Sequence, residues 1–212
     1  MTTISEAGVT CSVCGTISKH RKISSTNEFG HMDLDTRPPE MRRSTMEYWV
    51  QECPMCGYVS GDLEEKTQID RDFLSSRDYL DFEKQEPLSD LAKRFIREGR
   101  IAEKLGKFRE GFFDYLCGAW ASDDEGDEYW RKEARLLSLK VFDKISPDEC
   151  DETLTVMKAD LLRKSEQFER LSSEYSDIHF ENELLNKIIT FQIERAKQKD
   201  TATYTVGDVS MD

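Results

Sequence analysis

Hydrophobic positions follow two different periods along this chain, and the change comes near Lys66. Before Lys66, apolar and polar residues alternate over short stretches such as "MEYWVQEC", which is typical of short β-strands. After Lys66, apolar residues recur every three or four positions, which indicates amphipathic helices. We therefore predict a mainly α protein with a small β module, in which residues 1–66 form the module and residues 67–200 the helical domain.

Helix boundaries can be predicted from the capping residues and from the apolar faces. Residues 129–145 are apolar over most of the helix surface and are predicted to form a central helix. Gly106 is predicted to end one helix, and Ser146 followed by Pro147 to begin another. The tail at residues 201–212 loses the helical period, so we expect it to be loosely held.

The helical region carries a pattern close to that of a tetratricopeptide repeat (TPR), which needs small residues where two helices cross and aromatic residues beside them. The matching positions are Phe95, Gly99, Gly106, Phe108, Gly111 and Tyr115. Glu98 and Ala102 depart from the pattern, because leucine and tyrosine are usual at these positions. A weaker second unit surrounds Phe168, Leu171 and Tyr175. The pattern predicts TPR-like antiparallel α-hairpins, with an ordinary helical bundle as the alternative.

The charge of the chain bears on its partners and its location. The formal net charge is -13, and the acidic excess lies mostly after residue 66. A field of this sign repels nucleic acid and anionic membranes, so neither is expected as a partner. No apolar run reaches the roughly 20 residues that span a bilayer, and the N-terminus lacks the pattern of a secretory signal. We expect a cytoplasmic protein.

Four of the six cysteines lie in two C-x-x-C-G units, "CSVCG" and "CPMCG". Both sulfurs of such a unit can face one ion, because the turn between them points its backbone amides at the sulfurs and the glycine relaxes the turn. Four thiolates form the closed tetrahedral set of a structural zinc site. The long stretch from residue 15 to residue 52 fits two units on separate β-hairpins of a zinc ribbon. The predicted ligands of one structural Zn²⁺ are Cys11, Cys14, Cys53 and Cys56.

Other interpretations of the cysteines stay open. Two C-x-x-C pairs can be redox motifs, although no βαβ pattern surrounds them, and four cysteines can also hold an iron–sulfur cluster. A zinc site can in addition act as a redox switch that releases its metal on oxidation. His20 and His31 could replace a ligand, but polar loop residues on the surface are the simpler interpretation. Cys117 and Cys150 have no partner at ligand spacing and are expected to be buried or partly buried thiols.

Two further function classes compete with a binding module. Nucleic-acid binding is one, because the ribbon region carries the basic residues Lys19, Arg21, Lys22, Arg42 and Arg43. An enzyme is the other, with its site at Asp33, Asp35 and Arg37 or in a cleft between ribbon and helices. An ion-paired turn is the simpler interpretation of that loop. The sequence contains no phosphate-binding glycine loop, nucleophile elbow or H-E-x-x-H motif.

The order of these features resembles the uncharacterised bacterial family called domain of unknown function 2225. The resemblance covers residues 8–200 in layout and rests on "WVQECPMCGY" and on the helix with Tyr115, Leu116, Ala119 and Trp120. The insert "GHMDLDTRPPEMRRS" differs from the commoner family pattern, as in a divergent branch. The resemblance implies a zinc-ribbon module followed by TPR-like helices, assigns the four cysteines to the metal and implies no catalytic residue.

These observations together predict a non-enzymatic adaptor. The helical domain is expected to bind a protein or peptide, because stacked helix pairs build concave binding surfaces. Association into a homo-oligomer is compatible with the sequence.

Overall fold

The computed structural model describes residues 1–81 and 88–210 of the chain, so residues 82–87 of the predicted helical domain and 211–212 of the predicted tail lie outside it. The described part is mainly helical, as predicted, and its sheets are small and antiparallel. The paired strands are β1 (Thr3–Thr10) with β2 (Ile17–Ser25), β3 (Glu28–Phe29) with β4 (Glu40–Met41), and β5 (Gln51–Glu52) with β6 (Val59–Ser60). A 3₁₀-helix at Arg43–Tyr48 precedes β5.

The helices follow in the second part of the chain. They are α1 (Arg71–Leu74), α2 (Arg77–Leu80), α3 (Asp90–Lys104), α4 (Phe108–Glu125), α5 (Glu128–Phe142), α6 (Glu152–Lys164), α7 (Phe168–Tyr175), α8 (Glu183–Lys197) and α9 (Val206–Ser210). The predicted central helix corresponds to α5, which packs between α4 and α6, and α4 in turn packs between α3 and α5. No helix in the described ranges is both long enough and apolar enough to cross a membrane.

One helix begins later than its sequence signals predict. Pro147–Glu149 form a single 3₁₀ turn, and α6 begins only after Asp151. The Asp151 carboxylate accepts a hydrogen bond from the Leu154 amide at 2.7 Å, which satisfies a free N–H group of the first helical turn. The Asp151 cap therefore sets the start of α6, and the predicted cap at Ser146 begins only the short turn.

The same kind of turn joins α3 to α4 and α6 to α7. Gly106 and Glu166 take left-handed conformations there, with φ values of 73° and 63°. In both turns the amide of the residue after the left-handed one donates a hydrogen bond to the carbonyl five residues earlier. Lys107 donates to Ala102 at 2.9 Å, and Gln167 donates to Leu162 at 2.7 Å. This hydrogen bond is that of a Schellman motif, and such short connections make successive helices antiparallel.

Glycines let α3 and α4 approach closely. A Cβ atom added to Gly99 would lie 2.8 Å from the Tyr115 ring, and one added to Gly118 would lie 3.1 Å from Ile96. Gly99 and Tyr115 are both positions of the TPR-like pattern, and here they explain the close contact of one helix pair. The stacking of several such pairs into a TPR array stays a prediction.

The C-terminal segment is packed against the N-terminal region, whereas the loss of helical period predicts a loose tail. The Leu34 amide donates to the Tyr204 carbonyl at 2.9 Å, and the Val206 amide donates to the Met32 carbonyl at 2.9 Å. The Tyr204 ring lies edge-on to Phe191, with 4.9 Å between the ring centroids. Backbone pairing with a distant loop produces no sequence period, which is why the pattern did not predict it.

Candidate metal centre and the adjoining junction

Each C-x-x-C-G unit forms the end of a β-hairpin. We call Cys11–Thr16 the first knuckle and Cys53–Tyr58 the second knuckle. The first knuckle joins β1 to β2, and the second joins β5 to β6. The paired residues nearest the turns are Thr10 with Ile17 and Glu52 with Val59, directly beside each knuckle. Both cysteine pairs therefore lie at the end of a hairpin.

The two knuckles have the same backbone hydrogen bonds. In the first, the Cys11 amide donates to the Thr16 carbonyl at 2.9 Å and the Gly15 amide donates to the Cys11 carbonyl at 2.8 Å. The corresponding distances in the second knuckle are 2.8 Å and 3.0 Å. Gly15 and Gly57 have φ values of 76° and 69°, a conformation that disfavours residues with a Cβ atom. The turn geometry therefore explains the glycine after each cysteine pair.

The four sulfurs form one compact group. All of them lie within 4.8 Å of one another, with 3.7 Å between Cys11 Sγ and Cys56 Sγ and 3.5 Å between Cys14 Sγ and Cys53 Sγ. These distances exceed the ~2.05 Å of a disulfide bond. They are close to the ~3.8 Å between sulfurs that each lie ~2.3 Å from a tetrahedral ion. The structure thus brings the four predicted ligands together in a group that can hold a metal ion.

The surroundings of the sulfurs affect their ionisation. Burial raises the pKa of Cys11 and of Cys56. A hydrogen bond from the Thr16 side chain lowers the pKa of Cys14 to about 6. Thiolates next to each other repel, and a bound cation removes that repulsion, so metal binding favours the thiolate form of all four ligands.

Contacts outside the knuckles fix their positions. The Ser12 amide of the first knuckle donates to the carbonyl of Leu63, a fully buried residue that follows β6. The hydroxyl of Tyr79 in α2 donates to the Gly57 carbonyl of the second knuckle at 2.7 Å. Tyr79 is itself fully buried. The second knuckle is therefore tied to α2, and the first knuckle to the segment after β6.

The remaining cysteines and histidines do not join this group within the described residues. His20 lies on β2 and forms a hydrogen bond with the Ser18 hydroxyl at 2.8 Å. His31 lies against Gly207 near the C-terminus. Cys117 and Cys150 are half-buried free thiols in the helical part.

The basic residues of the module are engaged by acids and by one aromatic ring. Lys19 pairs with Glu6 at 3.2 Å, Lys22 with Asp62 at 3.6 Å, Arg42 with Glu28 at 2.8 Å and Arg43 with Asp33 at 2.5 Å, while Arg21 lies over the Tyr48 ring. These pairs offset most of the local positive charge on which nucleic-acid binding would depend.

The loop with Asp33 and Asp35 lies in the interior. Asp33 is 2% exposed and Asp35 is 0% exposed. The Asp35 carboxylate accepts a hydrogen bond from Trp120 Nε1 at 2.9 Å, and it lies 3.5 Å from Lys164 Nζ and 3.8 Å from Arg135 Nη2. The loop is thus an ion-paired structure, as the simpler interpretation predicts, but one that joins the module to α4, α5 and α6.

A second acid completes this buried cluster. Asp123 accepts two hydrogen bonds from the Arg135 guanidinium, at 3.1 Å and 2.5 Å, and lies 3.8 Å from Lys164 Nζ. Burial raises the pKa of Asp35, but Lys164, Arg135 and the Trp120 hydrogen bond outweigh burial, so the pKa lies below its ordinary value. Asp35 is therefore ionised at neutral pH and balances two buried cations.

Arg37 lies beside this cluster and pairs with a different acid. Its Nη2 lies 2.5 Å from the Asp124 carboxylate. The three charged residues of the loop thus have three different sets of partners. None of those partners in the helical part was predicted from the sequence.

A cavity lies between the module and the helices, where one of the enzyme hypotheses expects a cleft. Its volume is about 620 Å³, and we call it the junction cavity. Its lining includes Glu98 and Ala102 of α3, Glu110 and Asp114 of α4, and part of the segment Tyr58–Gln68. Glu98 Oε1 accepts a hydrogen bond from the Gly61 amide at 2.7 Å, which ties α3 to the segment after β6.

Two acids of the junction cavity, Glu98 and Asp114, hold their protons more tightly than ordinary carboxyl groups. Burial raises the pKa of Glu98 to about 7. Burial, together with the charges of Glu98 and Glu110, also raises the pKa of Asp114. Glu98 is therefore partly protonated near neutral pH.

We predict that Glu98→Gln changes the pH dependence of stability. Between the ordinary pKa of 4.5 and the folded value of about 7, the folded protein binds more protons at Glu98 than the unfolded chain does. The contribution of Glu98 to the free energy of unfolding thus falls as the pH rises through this range. As the pH rises from about 5 to about 8, the free energy of unfolding of the variant should increase by about 1–2 kcal/mol relative to that of wild type, as measured by urea unfolding. A wild-type-to-variant difference that is constant with pH would contradict the prediction, and Glu128→Gln on the exposed face of α5 is the control.

Comparisons of this chain with family models, with curated proteins and with solved structures give no match. The resemblance to domain of unknown function 2225 therefore stays a prediction, and the function has to be argued from the site.

Proposed function

We propose that this protein is a non-catalytic adaptor in which one Zn²⁺, bound by Cys11, Cys14, Cys53 and Cys56, stabilises the N-terminal module. The observation that carries the metal assignment is the group of four sulfurs, which lie within 4.8 Å of one another at the ends of two hairpins with equivalent hydrogen bonds. Four thiolates in such a group are the ligand set of structural zinc sites.

A structural role is supported by what surrounds the sulfurs. Four protein ligands close the tetrahedral coordination sphere, whereas a catalytic zinc ion keeps one position for water. The hairpin of the second knuckle has only two residues in each strand. Such a hairpin is not stable by itself in water, so a metal cross-link to the first knuckle would supply the missing stability.

The adaptor role is supported by the helical domain. Antiparallel helix pairs with glycine-mediated crossings, such as α3 with α4, are the units that build extended protein-binding surfaces. The charged residues of the Asp33–Arg37 loop are used internally to join the module to the helices. The module and the helices together would then present one continuous surface to a partner in the cytoplasm.

The test of the adaptor role is capture of a defined partner. The immobilised full chain is incubated with native lysate, the bound proteins are identified by mass spectrometry, and the site of contact is mapped by cross-linking. The proposal predicts a reproducible partner that cross-links to α3–α8 and is lost when the metal is removed by a chelator. Recovery of no partner, or cross-links to nucleic acid alone, would contradict it.

A further inference from the structure

The junction cavity has the size and the position of a binding site. Its volume of about 620 Å³ falls within the range of typical ligand sites, roughly 300–1,000 Å³. It lies where the segment after β6 meets α3 and α4, so both parts of the protein contribute to its walls. Sites between two structural units are common places for ligands.

The charge of the cavity is negative and only partly balanced. Its charged residues are five acids, Asp62, Glu65, Glu98, Glu110 and Asp114, and two bases, Lys66 and Lys107. Lys107 pairs with Glu110 at 3.0 Å, and Asp62 pairs with Lys22 at 3.6 Å. In the described part of the chain, neither Glu98 nor Asp114 forms an ion pair with a lysine or arginine. A cation that enters the cavity could therefore form an ion pair with either of these two carboxyl groups.

Part of the cavity lining is apolar. Ile101, Ala102 and Leu105 form this part, on α3 and in the turn that follows. A lysine or arginine side chain can lay its methylene groups along such a surface while its charged end reaches a carboxylate. A bare metal ion fits less well, because the cysteines form the one metal-binding group found among the described residues.

The TPR-like pattern is interrupted at two residues that line this cavity. Glu98 and Ala102 stand where leucine and tyrosine are usual, and they lie one helical turn apart on α3. A leucine at position 98 would remove a carboxylate, and a tyrosine at position 102 would occupy part of the space. Both departures from the pattern therefore make the cavity larger and more acidic.

We propose that the junction cavity binds a lysine or arginine side chain of an extended basic segment in the partner protein. The inference rests on the proposed adaptor function and specifies its partner. A segment with several positive charges is favoured over a single free amine, because the five acids that line the cavity and the net charge of -13 attract the whole segment.

The ionisation of the cavity couples binding to pH. A bound cation favours the charged form of Glu98 and Asp114, whose pKa values are raised in the free protein. Binding should therefore release protons, and affinity should rise between about pH 6 and pH 8. The groups that face these two carboxyls are Glu110 of α4, Lys107 before α4, and Tyr58, Asp62, Glu65 and Lys66 from the module.

The test uses a fluorescein-labelled peptide of alternating lysine and glycine as the probe, and its binding to the full chain is followed by fluorescence anisotropy at constant ionic strength. Wild type should bind the peptide, and Glu98→Gln and Asp114→Asn should each weaken binding about tenfold. Both substitutions conserve volume and remove a carboxyl group from a half-buried position, so the variants are expected to fold. Titration calorimetry in two buffers with different ionisation enthalpies should detect the released protons.

A matched control separates the cavity from the overall charge. Glu128→Gln makes the same change of net charge at an exposed position of α5 and should leave the affinity unchanged. Equal weakening by Glu128→Gln, unchanged binding by Glu98→Gln and Asp114→Asn, or binding of free spermidine but not of the peptide would each overturn the proposal.

The adaptor function can be judged separately from this cavity. If a captured partner binds Asp114→Asn as tightly as wild type, the partner uses another surface, so the cavity proposal fails while the adaptor function stands. If the peptide binds in the cavity but no protein partner is recovered, the adaptor function fails instead.

Discussion

Cys53→Ser is expected to release the metal and to unfold both knuckles. Cys53 is fully buried, and its sulfur lies 3.5 Å from that of Cys14, so a serine hydroxyl there cannot replace the thiolate. Structural zinc contributes roughly 10–16 kcal/mol to the folding free energy of small zinc modules, and the loss of one ligand removes part of this contribution. We expect the free energy of unfolding to fall by at least about 3 kcal/mol.

Zinc content and chemical unfolding, measured on the same samples, check this prediction. Cys150→Ser is the matched control, because Cys150 is a half-buried free thiol outside the sulfur group. The control should keep both the metal and the stability of wild type to within about 1 kcal/mol. A Cys53→Ser protein as stable as the control would mean that the module does not depend on its metal.

Asp35→Asn is expected to cause the second large loss of stability. The substitution keeps the shape of the side chain but leaves Lys164 and Arg135 with Asp123 as their remaining acid in the cluster. Removal of one partner from a buried ion cluster costs about 3–5 kcal/mol, because an uncompensated charge stays in the interior. The loss should be measured at neutral pH by urea unfolding.

Two variants make the Asp35 prediction specific. Asp143→Asn is the matched control, because Asp143 also faces two cations, Arg170 at 3.1 Å and Lys158 at 3.9 Å, but is exposed. Asp143→Asn should lower the free energy of unfolding by no more than about 1 kcal/mol. The double variant Asp35→Asn, Lys164→Met removes one charge of each sign and should recover part of the stability. Equal losses for Asp35→Asn and Asp143→Asn would contradict the buried-cluster account.

The pH dependence of the Asp35 contribution follows from the direction of its pKa shift. The folded pKa is below the ordinary value of 3.8, so the stabilisation is fully present above that value and is lost as the pH falls through the folded pKa. The difference in stability between wild type and Asp35→Asn should therefore be constant from neutral to mildly acidic pH and shrink only in strong acid.

Local features of this protein were predictable from the sequence. The spacing of the cysteines and the glycine after each pair predict the two knuckles, because the turn chemistry lies within a few neighbouring residues. The helical period predicts most of the helices, and Gly99 with Tyr115 predicts the close contact of α3 with α4. Each of these signals acts over a short stretch of chain.

Features that join distant segments were not predictable in the same way. The partners of Asp35 in the helical part lie 85 or more residues away, and no local pattern connects them. The pairing of Leu34 with Tyr204 is of the same kind. The only signs of the junction cavity in the sequence were Glu98 and Ala102, which depart from the repeat pattern. They do not by themselves predict a cavity, because its walls depend on which segment packs against α3.

The metal content of the purified chain shows whether the four cysteines hold a zinc ion. Protein prepared without chelator or added metal is analysed by native mass spectrometry and elemental analysis, and its thiols are then counted with an alkylating reagent. A structural zinc site predicts about one zinc ion per chain and protection of Cys11, Cys14, Cys53 and Cys56 from the reagent until the metal is removed. A folded, metal-free protein with all four thiols reactive, or one with stoichiometric iron, would contradict it.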